Sequence, residues 1–408
     1  MFACVRPPKM FSPPTTKKGT GIKMQIKKML IGSLTLALVF GAMALQVDVV
    51  KQGAAKVTVT LQVSGSPEYQ KCLKRNLELS GWFRIGPSGS ITVSGAAGGA
   101  VTATGRGKSI TSRESFADAA GARMAGRRFA DAIVEAFSDG GKGFATKRIA
   151  YVNRKGADNA ELYMCYPDGW DMRQITSDGR AAIGPRWAAN GHDLYYTGFL
   201  HEKQLSYRIN VDTEARECLG FFKNGASGAA VSPDGRSVAI ILSYQGNPEL
   251  YVMDLASRRI QRMTKTPAAA ESSPCWSPDG RKIAYVSDQT RNPQIYICDV
   301  ASRQSTRYTS KGRQNTHPDW AKNGRLCWSS LQAGQWCIMA SEANGGEASA
   351  QMVTQPGTWQ DPSWAADGRH LVAARDKALF LVDTEPDGDK PVQLFYNKGN
   401  WMNPAFSK

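Results

Sequence analysis

The sequence predicts a six-bladed β-propeller preceded by a small α/β domain, and three observations carry that prediction. Turn glycines recur at Gly191, Gly235, Gly280, Gly324 and Gly368, spaced 44, 45, 44 and 44 residues apart. Each follows Asn or Asp (Asn190, Asp234, Asp279, Asn323, Asp367), the pairing that suits tight turns with positive φ between adjacent strands. Four residues before each glycine stands Trp187, Val231, Trp276, Trp320 or Trp364, and Pro185, Pro274, Pro318 and Pro362 precede the tryptophans by two. A self-similar period in the forties with four short strands per unit is the signature of stacked propeller blades.

The unit from Ser272 to Thr309 shows the pattern most clearly. An apolar strand ends in Trp276, a Pro-Asp-Gly turn follows, and two alternating strands span Lys282 to Ser287 and Gln294 to Asp299. A short polar strand, Arg307 to Thr309, completes it. With the strands lettered A to D, the B-C-D sets begin near residues 148, 192, 236, 281, 325 and 369, which makes six blades. The missing strand A is expected at Asn403 to Phe406, so that the C-terminal strand closes the ring and leaves no open sheet edge.

Ahead of the repeats, residues 1–44 read as an extension plus a signal peptide, and 45–147 as the α/β domain, with the propeller at 148–408. Residues 1–23 are basic and Pro-rich. From Met24, Lys27 and Lys28 form a positive n-region, Met29 to Met43 is uncharged and apolar, and Ala42-Met43-Ala44 fits the small-x-small cleavage rule. The mature chain is expected to start near Leu45, in a bacterial periplasm. In the α/β domain, Lys56 to Val63 alternates as a strand, and Ser66 with Pro67 should cap a helix that runs to Ser80 and ends at Gly81. A second strand is expected over Trp82 to Ile85, and weak strands with a loose turn over Ile91 to Thr104. A longer helix over Ser115 to Phe137 would present Phe129, Ile133 and Phe137 on one face.

Charge and cysteine usage exclude several classes. The net charge is +16, but seven Lys or Arg crowd into residues 1–28 without an acidic residue, and the remainder is only mildly basic. No Lys/Arg cluster is interleaved with aromatics, which argues against nucleic-acid binding. The eight cysteines form no Cys-x-x-Cys pair, so zinc is not expected. Most fall at strand positions and read as buried thiols, although Cys327 and Cys337 lie on successive strands and could pair. Thr102 to Ser109 ends like a phosphate-binding loop but has Thr102 where the first glycine belongs. His201-Glu202 lacks the second histidine of a zinc-protease helix, and no Gly-x-Ser-x-Gly occurs. No cofactor or metal is expected.

Strand order places the A–B and C–D turns on one face and the B–C and D–A loops on the other. The uniform A–B aspartates are explained by turn chemistry alone. The D–A loops lead into the innermost strands and should ring the mouth of the central channel, where binding residues concentrate. Glu271, Asn315, Thr316, His317, Thr358, Trp359, Gln360 and Trp401 are the candidate partner-binding residues there, with Trp359 and Trp401 as exposed anchors. The shorter B–C loops of blades 5 and 6 make that face asymmetric, which suits one oriented protein partner. A second reading, a secreted propeller that binds or hydrolyses a small molecule, glycan or peptide, would draw on Asp361 and His317.

The repeat SPDGRKIAYVSDQTRNPQIYICD resembles the propeller repeats of the TolB family of the Tol–Pal system. The stretch ARMAGRRFADAIVEAF…GKGFATKRIAYV (122–152) looks like that family's junction between helix and first blade, RNLELSGWF (75–83) like its first helix and strand, and MNPAFSK like its closing strand. The Gly/Ala/Thr-rich stretch Ser88 to Lys108 departs from the pattern. The resemblance implies a non-enzymatic periplasmic adaptor that supports outer-membrane integrity and cell division. It implies binding of a Pal-like peptidoglycan-associated lipoprotein through the propeller face. It also implies binding of a TolA-like inner-membrane protein through the mature N-terminus, which maps to Leu45, Gln46, Val47, Asp48 and Val49.

Overall fold

The computed structural model describes residues 56–408 except 157, 201, 202, 245, 343 and 387. The expected signal peptide and the segment Leu45 to Val49 lie outside the described residues. No described helix is long and apolar enough to cross a membrane.

The α/β domain comprises β1 (Val57–Ser64), α1 (Pro67–Leu79), β2 (Phe83–Ile85), β3 (Ile91–Ala96), β4 (Ala100–Gly105), β5 (Lys108–Arg113) and α2 (Ala119–Phe137). Its sheet runs β2-β1-β3-β4-β5, with β1 parallel to β2 and β3 and the remaining pairs antiparallel. Ser66 caps α1 by accepting from Tyr69 N at 3.3 Å, with Pro67 in the first turn, as expected. Helix α2 starts later than its apolar period suggests, because the Asp118 carboxylate accepts from Gly121 N at 2.7 Å and sets the N-cap there. Leu73, Leu77, Phe129, Ile133 and Phe137 pack with Val59, Ile91 and Val93 on one face of the sheet. The Gly/Ala/Thr-rich stretch is a regular meander rather than a loose turn. At Gly105 a Cβ would lie 2.3 Å from Ser90 O, so the close strand approach requires glycine. The phosphate-loop look-alike is the β4–β5 hairpin, turning through Arg106 and Gly107 at φ 49° and 72° and leading into strand β5 rather than a helix.

Six four-stranded antiparallel sheets form the blades, with strand A innermost. Strands A are Trp401–Phe406 in blade 1, Ala182–Trp187 in blade 2, Ala226–Val231 in blade 3, Glu271–Trp276 in blade 4, Gln314–Trp320 in blade 5 and Gln360–Trp364 in blade 6. The ring closes as the repeat count requires: Trp401–Phe406 pairs antiparallel with Ile149–Arg154, with Phe406 opposite Ile149. Ser407 Oγ accepts from Arg148 N at 2.8 Å and locks the seam. The turn glycines all take positive φ, between 67° and 88°. In blades 3 and 4, Asp234 and Asp279 accept from Ser232 and Ser277 hydroxyls and from the Arg236 and Arg281 amides, which holds both carboxyls below the usual range. These aspartates are turn structure. The described cysteines are all free, Cys327 and Cys337 included; they oppose Ala340 and Ser330 and are out of register for a bridge.

The α/β domain sits on the A–B/C–D face, against blades 6 and 1. Arg127 is fully buried in α2 and pairs with Asp168 in the C–D turn of blade 1 at 2.8 Å and with Asp171 at 2.7 Å, while stacking over Tyr166. Asn76 and Trp170 N also donate to Asp168, and Arg75 donates to its carbonyl. Arg369, from the A–B turn of blade 6, reaches Gly81 O and covers the Trp82 ring. Arg75 of α1 also donates to Leu394 O at 3.3 Å, at the start of the loop from blade 6 to blade 1.

Two outcomes follow. Removing residues 400–408 takes away buried Trp401, Ala405 and Phe406 and opens strand B of blade 1, so the melting temperature should drop by more than about 10 °C. A truncated chain that melts unchanged would refute closure. Asp168→Ala leaves the Arg127 charge buried with half its partners and should cost about 3–5 kcal/mol in denaturant unfolding, far more than Glu114→Ala, which breaks an exposed pair with Arg128.

Candidate functional site

The innermost strands share a distortion that shapes the channel. Each A–B pairing shifts register near the D–A end, and the residue at the shift takes left-handed backbone. Around the ring these are Asn403 (φ 46°), Gly184 (60°), Gly228 (62°), Ser273 (51°), His317 (51°) and Asp361 (55°). All except Gly228 precede proline. The bulge leaves one residue per blade outside the ladder, and together the six rim a cavity of about 310 Å³ at this mouth.

The rim is uneven. Asp361 Oδ2 accepts from Asn403 N at 3.1 Å and Asn403 Nδ2 at 2.7 Å, and His317 Nδ1 lies 3.1 Å from Asp361 Oδ1. Blades 5, 6 and 1 thus present a connected polar arc. Blades 2 and 3 present glycines, and a Cβ on Gly184 would meet nothing within 4 Å, so that side of the mouth is open. A His–Asp pair invites comparison with hydrolase triads, but His317 makes no side-chain hydrogen bond to a serine among the described residues. No group of three or more His, Cys, Asp or Glu gathers in metal-binding fashion among them either.

Of the residues picked from sequence, the structure brings only some to the surface of this mouth. His317 lines the cavity, Thr316 beside it is half-buried, and Thr358 and Gln360 are exposed nearby. Trp359 and Trp401 are not exposed anchors. Trp359 is 2% exposed, packed on Phe380 and under Arg375; Trp401 is 5% exposed, edge-on to Tyr151, Tyr163 and Phe395. Glu271 and Asn315 are buried, 2% and 0% exposed. Asn315 joins Gln294 Oε1, Lys311 O and Trp328 Nε1.

Sequence reasoning missed the aromatics that are exposed. Phe221 (78%) lies on the loop from blade 2 to blade 3, Tyr244 (52%) on the B–C loop of blade 3 and Tyr396 (83%) on the loop from blade 6 to blade 1. All three are on B–C or D–A loops. Asn224 Nδ2 donates to Ser243 O at 2.9 Å and ties the first two loops together. Their signal in the sequence was weak: each is a lone aromatic in a polar loop.

A family model for the TolB β-propeller domain matches residues 138–408. The chain belongs to the TolB β-propeller family. A TolB homolog from Chlorobaculum tepidum is 28% identical over 53% of this chain and 58% of its own length. A Tol-Pal system protein TolB from Anaeromyxobacter dehalogenans is 30% identical over 39% of this chain and 36% of its own. The matched region thus spans about a third to a little over half of these curated relatives. The crystal structure of TolB from Acinetobacter baumannii superposes with a TM-score of 0.76, covering 87% of this chain and 97% of that one at 22% identity, which shows a common two-domain fold.

Beneath the TolB-type rim, blades 3 and 4 share a buried carboxylate pair. Glu249 accepts from Arg262, Thr264 and Thr266 N, which holds its carboxyl low. Glu271 accepts from Thr266 Oγ1 at 2.7 Å and Ser287 Oγ at 2.9 Å, while no described donor reaches its Oε2. Burial pushes the Glu271 carboxyl up to about 7, helped by Glu249 and Asp288 and opposed by the two hydroxyls. The blade 4–5 junction has Gln294 and Asn315 instead, a neutral pair. A folded Glu271 therefore keeps its proton over a range where the unfolded carboxyl, with an ordinary value of 4.5, has lost it. Its contribution to stability declines as pH rises from 4.5 to 7 and is flat above that. Glu271→Gln should raise stability at pH 8 by about 1–3 kcal/mol and shrink the gap between pH 5 and pH 8 melting temperatures. An unchanged gap would rule out a buried proton at this site.

Proposed function

We propose that this protein is a non-enzymatic adaptor of the Tol–Pal envelope system, acting in the periplasm after cleavage near Ala44. Its B–C/D–A face docks a Pal-like peptidoglycan-associated lipoprotein, and its mature N-terminus from Leu45 to Val49 engages a TolA-like inner-membrane protein. Family membership and the likeness to TolB proteins of the Tol-Pal system support this reading. The observation that carries it is the coincidence of three exposed aromatics on B–C and D–A loops with an open polar mouth. Solvated aromatics of this size are the usual anchors of a protein interface. The polar arc His317–Asp361–Asn403 can take hydrogen bonds from a partner loop, and the bare side at Gly184 gives that loop room. Such an interface links two membranes by docking alone.

The test is calorimetric titration of the purified protein with the soluble domain of a Pal-like lipoprotein from the same envelope. A saturable complex is expected, weakened at least about tenfold by Tyr396→Ala combined with His317→Ala, because truncating an anchor and a central polar contact costs about 1–3 kcal/mol each. Ile260→Ala, an exposed apolar residue on strand D of blade 3, should leave binding unchanged. No binding by folded protein, or equal loss in both variants, would defeat the assignment of this face.

A further inference from the structure

The opposite mouth of the channel has a different chemistry. It opens on the A–B face as a cavity of about 470 Å³ lined entirely by propeller residues. Its wall is apolar: Trp187, Trp276 and Trp320 are joined by Val231 and Phe406. The indoles are held in place, since Trp187 Nε1 donates to Ala405 O at 3.0 Å, Trp276 Nε1 to Ala230 O at 2.8 Å and Trp320 Nε1 to Gly324 O at 3.0 Å. These bonds run largely from blade to blade, so the wall is built before any ligand arrives.

Three cations line the same cavity, Arg186, Lys322 and Lys408, against one carboxylate, Asp319. That carboxylate is already engaged. Lys408 Nζ pairs with Oδ1 at 2.9 Å, and Trp364 N and Ser363 Oγ donate to Oδ2 at 2.7 and 3.2 Å. Arg186 and Lys322 have no acidic partner among the described residues. Arg186 lines the cavities of both mouths and so stands at the waist of the channel. Burial lowers the affinity of Lys322 for its proton, and the nearby charges of Lys147, Lys142 and Lys408 add to the effect. A half-buried Arg186 and a rim Lys322, neither with an acidic partner among the described residues, face a preformed aromatic wall and define what the cavity would take.

We infer that this cup binds a small organic anion with an apolar or aromatic body, its acidic group met by Arg186 and Lys322 and its body packed on Trp187, Trp276 and Trp320. The volume is that of an ordinary small-molecule site. The site lies on the face away from the exposed aromatics, so it stands or falls independently of the proposed docking function.

Two dyes that share a body test it: 1-anilinonaphthalene-8-sulfonate, which is anionic, and N-phenyl-1-naphthylamine, which is not. Fluorescence titration of the full chain should show one saturable site for the sulfonate. Arg186→Met with Lys322→Met should weaken it by about tenfold or more, the loss expected for charge-assisted hydrogen bonds, with little effect on the neutral dye. His317→Ala, at the other mouth, should change neither. Thermal melts confirm that each variant is folded, and should the double variant fail to fold, Lys322→Met alone is read at the rim. The inference is overturned if the folded protein binds the sulfonate no better than the neutral dye. It is equally overturned if removing the cations leaves sulfonate binding unchanged, or if His317→Ala weakens it as much.

Discussion

The pairing of Trp401–Phe406 with Ile149–Arg154 joins chain positions 259 apart at the Arg148–Ser407 bond and turns five and a fraction blades into a ring. Everything functional in the propeller depends on it. The channel exists only because six inner strands face one axis, and both cavities are lined by residues of the closing strand: Asn403 and Pro404 at one mouth, Ala405, Phe406 and Lys408 at the other. Lys408 also supplies the ion pair that engages Asp319. The seam is thus a structural closure and a contributor to both sites, which places a large share of the molecule's cooperativity on a short segment.

Closure alone leaves the two faces equivalent in exposure; the α/β domain makes them different. The buried Arg127–Asp168 pair, backed by Asn76, Trp170 N and the Tyr166 ring, fixes that domain on the C–D turn of blade 1. Breaking a buried pair strands a charge, so this contact specifies orientation more than it adds net stability. As a result one face carries the domain and the cationic aromatic cup, and the other carries the aromatics and the polar arc. The repeat supplies six similar positions at each level of the channel, and function resides in their differences: Arg186, Asp319 and Lys322 at one mouth, and His317, Asp361 and Asn403 against glycines at the other.

Much of the fold was legible because its determinants are local. Asn-Gly and Asp-Gly turns need positive φ, Ser66-Pro67 starts a helix, and alternation marks strands B and C; each depends on neighbours in sequence. The meander β3–β5 was harder, because glycine and alanine there reflect close approach between strands rather than propensity. The candidate site was legible as a place and far less so as residues. His317, expected at the mouth from strand order, lines the cavity there. Trp359 and Trp401 share that loop position but fold under it, since each large indole finds Phe380 or Tyr151 to pack against.

By itself the sequence determined the number of blades, the closing strand, the turn chemistry and the family, all of which follow from periodicity and from short-range backbone rules. Tertiary structure decided which aromatics are wet, which carboxylates are buried as a pair, and which cations lack a partner. Those properties depend on what neighbouring blades place opposite a residue. That neighbour is some forty or more positions away, and for Asn403 and Asp361 it lies across adjacent blades at the seam. Burial and desolvation act over a few ångströms in space, and no local pattern encodes them.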